Sequence, residues 1–156
     1  MTTEQFLICK ADFLATYKDI LCNESTEDIQ ASQTPVQFIR LLHKFATFLR
    51  YKAIPSAEWA RQWFKDETQL LNECGVFLDQ ILSLKDPDER SLILLGTSNL
   101  HITYTLPRLC NLTLQDDSTA SLLLFNTAHC TVREKGTQHA EIITCNKPAT
   151  VKIHRL

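Results

Sequence analysis

Leu100-His101-Ile102-Thr103-Tyr104-Thr105, Cys110-Asn111-Leu112-Thr113-Leu114-Gln115, Ala120-Ser121-Leu122-Leu123-Leu124-Phe125, Cys130-Thr131-Val132-Arg133-Glu134-Lys135, Ala140-Glu141-Ile142-Ile143-Thr144-Cys145 and Ala149-Thr150-Val151-Lys152-Ile153-His154 recur every ten residues, the last one residue early. Within each block the first, third and fifth positions share one face of an extended strand, because side chains on a strand alternate. The first position is small or medium and the third is always aliphatic: Ile102, Leu112, Leu122, Val132, Ile142 and Val151. Between blocks lie Asp116-Asp117-Ser118, Asn126-Thr127, Lys135-Gly136 and Asn146-Lys147-Pro148, which carry turn chemistry. Ser91-Leu92-Ile93-Leu94 stands one period upstream and reads as a seventh, atypical strand.

Residues of matched size at equivalent positions are what stacked coils require and what a hairpin series does not. A strand of six residues and a tight corner use up one period, so two strands make one flattened coil of about twenty residues. The preferred architecture is therefore α+β, with N-terminal helices packed on a C-terminal short-repeat β solenoid. An antiparallel β meander is the alternative, since all-β regions also space their strands at about 8 to 12 residues. In a two-strand coil, Thr103, Leu123 and Ile143 point outward on one sheet, and Thr113, Arg133 and Lys152 on the other. The partly apolar first set is expected to face the helices.

Upstream the period is helical. Phe6, Cys9, Phe13, Tyr17 and Ile20 form the stripe of a helix from about Glu4 to Cys22. The polar run from Asn23 to Ser32 reads as a loop holding at most a short turn at Asp28 to Ala31. Thr34, Pro35 and Gln37 open a second helix through a capping box, and its stripe of Val36, Ile39, Leu42, Phe45 and Leu49 is wide enough to meet two neighbours. Ser56 caps a short helix carrying Trp59, Trp63 and Phe64. Asp66 and Gln69 suggest another box, and Gly75 a left-handed stop. Val76 to Leu84 fits helix or strand. Asp86-Pro87-Asp88 marks the expected boundary between a helical head, 1–85, and a β-repeat region, 90–156, around one shared core.

The corners Asp117-Ser118-Thr119-Ala120, Lys135-Gly136-Thr137 and Cys145-Asn146-Lys147, with Trp63-Phe64, Leu70-Leu71 and Gly75-Val76 ahead of them, resemble uncharacterised bacterial and phage proteins. In those proteins a small helical head precedes imperfect β repeats of eight to ten residues. The resemblance covers residues 60–154 and implies a solenoid scaffold. It carries over no catalytic residue.

The bulk composition is that of an ordinary globular chain: 156 residues, 44% hydrophobic, 22% charged, net charge −2. No whole-molecule field draws polyanions. Three glycines leave no phosphate-cradling motif, and there is no leader pattern or run of roughly 18 apolar residues. These features lead to the expectation of a soluble, cytoplasmic protein. Cys9, Cys22, Cys74, Cys110, Cys130 and Cys145 contain no C-x-x-C pair and read as reduced apolar fillers, with Cys110 and Cys130 stacked inward one coil apart. His43, His101, His129, His139 and His154 read as surface or corner residues rather than ligands, and no cofactor is implied.

One charge feature stands out. Arg40, Lys44, Arg50, Lys52, Arg61 and Lys65 fall in one segment with Trp59 and Trp63, opposed by Glu58. Basic side chains interleaved with aromatics suit phosphates and bases, although a solvated helix face with core tryptophans explains them too. The expected function is a non-catalytic protein–protein interaction module, such as an immunity, inhibitor or phage–host interaction protein, with the solenoid end as a homodimer surface. A nucleic-acid-binding module using Arg40 to Lys65 is the second reading. A small metal-dependent enzyme is the third.

Overall fold

Lateral pairing decides the architecture, and every strand pair in the computed structural model is parallel. The structure describes residues 1–48, 54–135, 140–146 and 148–155. Among them five helices, α1 (Thr3–Tyr17), α2 (Asn23–Ala31), α3 (Pro35–Phe48), α4 (Ala57–Phe64) and α5 (Thr68–Glu73), precede nine strands. The strands are β1 (Val76–Leu78), β2 (Ile81–Lys85), β3 (Ser91–Leu95), β4 (Asn99–Tyr104), β5 (Arg108–Gln115), β6 (Thr119–Leu124), β7 (Ala128–Lys135), β8 (Ala140–Cys145) and β9 (Thr150–Arg155). Odd strands form a five-stranded sheet in the order β1-β3-β5-β7-β9, and even strands a four-stranded sheet β2-β4-β6-β8. The chain is a solenoid of roughly four two-strand coils, and the meander is excluded.

Stacking follows the block pattern. Leu92 pairs with Leu112 and Leu112 with Val132; Ile102 pairs with Leu122 and Leu122 with Ile142. The side chains of Leu92, Leu112, Val132, Ile102 and Leu122 are sealed from solvent in one cluster with Leu94, Leu100, Tyr104, Leu114 and Leu124. Each such side chain contributes roughly 1.5–3 kcal/mol by leaving water. The repeat slips at its end. Val132 pairs with Ile153, not Val151, and Val151 sits beside Cys130. A register shift between Leu122 and Leu123 sets Leu123 opposite Thr144, so the Leu123–Ile143 column expected from the ten-residue spacing does not form.

The corners are tied coil to coil. At the β3–β4 corner the buried Ser98 Oγ lies 3.0 and 2.8 Å from the Phe77 and Leu95 carbonyls. One coil on, Ser118 Oγ donates to the Leu94 carbonyl (3.1 Å) and accepts from the Gln115 amide (3.0 Å). Gly96 takes φ +65°, and a Cβ there would lie 2.1 Å from Asp79 Oδ1 and press on the Arg61–Asp79 pair. At the opposite corner Asp86 accepts from the Thr105 and Leu106 amides, and Asn126 Nδ2 donates to the Thr105 carbonyl. Asp86, Asp116 and Asn126 all hold positive φ, which short polar side chains tolerate.

Several expectations need correction. Val76 to Leu84, open between helix and strand in the sequence, is strand; β1 and β2 make the first coil, so the head ends at Gly75 and not near residue 85. The expected single core is two clusters. One fills the solenoid; the other joins the helices to Val76, Leu78, Ile93 and Leu95. Those four side chains are the outward residues of β1 and β3, so the head lies on the five-stranded sheet. The expected side, bearing Thr103 and Leu123, is the other one. The reason is legible in the runs Val76-Phe77-Leu78 and Leu92-Ile93-Leu94-Leu95, which are apolar without alternation because both faces are buried.

Within the head, residues 23–31 form a helix where a loop was expected. Its one buried apolar anchor, Ile29, and ion pairs from Lys44 to Glu24 (2.8 Å) and Asp28 (2.6 Å) hold it against α3. Tertiary contact overrides weak propensity. α1 stops at Tyr17 rather than Cys22, and its start is a capping box of Thr2 and Gln5. Gln37 does not reach back to the Thr34 amide; its side chain accepts from the Gln33 amide (2.8 Å), while Thr34 Oγ1 takes the Gln37 amide (3.2 Å). Glu67, which binds the Met1 ammonium, stands at the start of α5 in place of an Asp66 box. Phe13 anchors the head, with ring centroids 4.9 Å from Trp59 and 5.2 Å from Phe38.

Candidate functional site

The described residues of the basic segment do not assemble into a patch. Arg40, on α3, reaches Glu89 between β2 and β3 (3.4 Å). Lys44, one turn on, is held by Glu24 and Asp28, and the hydrogen bonds it donates to the two carboxylates raise its pKa. Arg61, on α4, forms a bidentate pair with Asp79 at the β1–β2 corner (2.6 and 2.7 Å). That guanidinium holds the Asp79 carboxyl down at about 2. Arg61 and Arg40 thus link head to solenoid, while Lys44 links two helices. Lys65 is exposed at the end of α4 beside Asp66 and Glu67. Arg50 and Lys52 lie outside the described residues.

Both tryptophans are occupied as well. Trp59 Nε1 and Trp63 Nε1 donate to the same oxygen of Asp12 (2.7 and 2.9 Å), and Trp59 is buried among Phe13, Tyr17 and Phe64. Stacking a base on Trp59 would require opening the core.

A cleft of about 460 Å³ lies between α3 and the β2–β3 corner, lined by Arg40, His43, Asp88, Glu89, Arg90 and Ser91. His43 Nε2 meets the Cys74 carbonyl (2.6 Å), and burial lowers the imidazole pKa. Burial also raises the Cys74 thiol, the opposite of what a nucleophilic thiolate needs. This geometry stitches α3 to the end of α5.

Cys110 and Cys130 are stacked inward as direct register partners, as their spacing predicts, and both are buried. Cys110 Sγ donates to the His129 carbonyl (3.4 Å). The hydrogen bond between the thiols holds Cys130 in its protonated form, well above an ordinary cysteine. Among the described residues no group of three or more His, Cys, Asp or Glu side chains could hold a metal ion, and no helix is long and apolar enough to cross a membrane.

The other concentration of polar chemistry is the outer face of the five-stranded sheet beyond the head. Register puts nine side chains on a grid: Leu109, His129 and Thr150 in one row, Asn111, Thr131 and Lys152 in the next, Thr113, Arg133 and His154 in the third. Neighbours within a row are about 4.8 Å apart, and rows about 6.6 Å, from ladder geometry. Arg133 Nη1 donates to Asn111 Oδ1 (3.2 Å), and His129 Nδ1 shares a hydrogen bond with Thr150 Oγ1 (2.6 Å). Leu109, His129, Thr150 and Lys152 are exposed, whereas Thr113 is buried at the end nearest the head. Glu134, the one acid of these three strands, points inward and is closed by Arg155 (3.1 Å) and the Ala140 amide (2.7 Å).

The ten-residue spacing places Thr113 and Arg133 together correctly, but it sets Lys152 in their row, where His154 stands. Leu109, His129, Thr131 and His154 carry no motif of their own; their outward alternation is the signal that finds them. Comparison of the chain with protein-family models, with curated proteins and with solved structures finds no match.

Proposed function

We propose that the protein is a non-catalytic protein–protein interaction module, in the manner of an immunity, inhibitor or phage–host interaction protein, working in the cytoplasm. The observation that supports this reading is the grid on β5, β7 and β9: nine side chains on one ladder, with their backbone fixed and two of their polar contacts already made. A preorganised surface loses little conformational entropy on association. Leu106 and Leu109, 52% and 69% exposed at one border, supply apolar anchors of the sort interfaces use.

The test is capture by the immobilised full chain from its host's extract, with and without nuclease. A stoichiometric protein partner retained after nuclease is the expected result; capture abolished by nuclease contradicts it. The nucleic-acid reading comes second because Arg40, Lys44 and Arg61 would have to leave Glu89, Glu24, Asp28 and Asp79 to meet phosphate. A homodimer through β9 is a further form of the interaction reading. Val151 and Ile153 are only partly buried there, whereas their neighbours Cys130 and Val132 are sealed. Sedimentation equilibrium tests that form.

A further inference from the structure

We propose that the partner is an acidic protein surface, and that it docks on the grid of β5, β7 and β9 through carboxylates that meet Arg133, Lys152 and the two histidines. The inference rests on the interaction reading above and gives its surface and chemistry.

Four of the nine grid positions carry Arg, Lys or His, and none carries an acid. The cations are also close. Arg133 and His154 are direct register partners, and Lys152 lies one row away on the same strand as His154. Arg133 and Lys152, the two permanent cations, are diagonal neighbours on the ladder and repel, and nothing within the grid offsets them. A carboxylate placed between them removes that repulsion and gains charge-assisted hydrogen bonds. Elsewhere in the fold several cations already have an acid: Arg40 has Glu89, Lys44 has Glu24 and Asp28, Arg61 has Asp79 and Arg155 has Glu134. The grid gathers Arg133 and Lys152 with two histidines on one rigid face, with no acid among them, and so offers an outside carboxylate several donors at once.

The observations favour protein over polyphosphate for two reasons. Phosphate backbones reward many permanent cations, each neutralised phosphate releasing counterions, and the grid has two on a chain of net charge −2. Leu109 and the nearby Leu106 form an exposed apolar border that a phosphate backbone does not use, whereas a folded acidic surface covers it and excludes water from the ion pairs.

The experiment is a titration of the isotope-labelled full chain followed by amide chemical shifts, with poly-L-glutamate and with oligothymidylate as separate probes. Poly-L-glutamate is expected to shift Leu109–Thr113, His129–Arg133 and Thr150–His154 and to leave α3 and α4 unmoved. Arg133→Glu/Lys152→Glu should weaken binding about tenfold or more, while Arg40→Glu/Lys44→Glu leaves it unchanged. Lys152→Glu alone, at an exposed position on the edge strand, covers the event that loss of the Arg133–Asn111 bond disturbs folding. Shifts confined to α3 and α4, no shifts at all, or tighter binding of oligothymidylate than of poly-L-glutamate overturns the proposal. A protein partner that survives nuclease and still binds Arg133→Glu/Lys152→Glu also overturns it, while leaving the interaction reading standing.

Discussion

On the five-stranded sheet the outward residues change along the stack, from Val76, Leu78, Ile93 and Leu95 beneath the helices to the polar and basic rows of β5, β7 and β9. On the four-stranded sheet they follow no such apolar-to-basic order. Ser83, His101, Ser121 and Glu141 follow one another in register, as do Lys85, Thr103 and Leu123. Both sheets share one interior, where Leu112 and Leu122 obey the same demand for a dry aliphatic rung. The lesson is that stacking constrains the inside of a coil and leaves the outside free to differ, so the exterior is where partner chemistry is to be read.

The comparison breaks most violently if a charge is put inside. Leu112→Asp buries a carboxylate with no partner between Leu92 and Val132, and should cost more than about 4 kcal/mol in urea unfolding. Thr103→Asp, on the outer side of the neighbouring sheet, should cost under about 0.5 kcal/mol. Equal losses from the two would deny that inside and outside differ. Gly96→Ala comes next, at about 2 kcal/mol, because the left-handed φ and the 2.1 Å approach to Asp79 both resist a methyl group.

Smaller effects sharpen the account. Gln115 is buried just outside the grid, one position beyond the Leu94–Leu114 pair, and neither atom of its side-chain amide has a hydrogen-bond partner. Leu95 fills the equivalent place one coil earlier. Gln115→Leu should therefore stabilise the protein by about 1 kcal/mol, read as an upward shift in the urea midpoint. The smallest effect concerns the clamp between head and stack. The folded Asp79 carboxyl, at about 2, lies below its ordinary value of 3.8, so its contribution is complete above that value and disappears as the pH falls toward 2. Melting temperature followed across that window should fall less steeply in Arg61→Ala than in the parent chain. Identical slopes would mean that the pair is idle.

Much of this was legible in the sequence, for reasons that can be named. Alternation and matched residue sizes revealed the parallel stack because each rung must fit the one above it. The head's site on the sheet is not legible in the ten-residue blocks because the outward residues that receive it, Ile93 and Leu95, lie upstream of them. α2 was missed because Ile29 alone carries its burial, a signal too sparse for periodicity. The slip at Val151 and Ile153 has no local signature: spacing counts residues, whereas register answers to how the bulge at Leu122 and Leu123 and the last corner place the strand. Sequence proximity says nothing of Glu89, Asp79 or Asp28, which arrive from other elements to meet Arg40, Arg61 and Lys44.

The coil itself is tested most directly by through-space contacts in the isotope-labelled chain. Parallel stacking predicts backbone amide-to-Hα contacts joining the strand of Leu92 to that of Leu112, Leu112 to Val132, and Val132 to Ile153. Contacts joining the strand of Ile102 to that of Leu112 in antiparallel register would contradict the stack and dissolve the grid along with it.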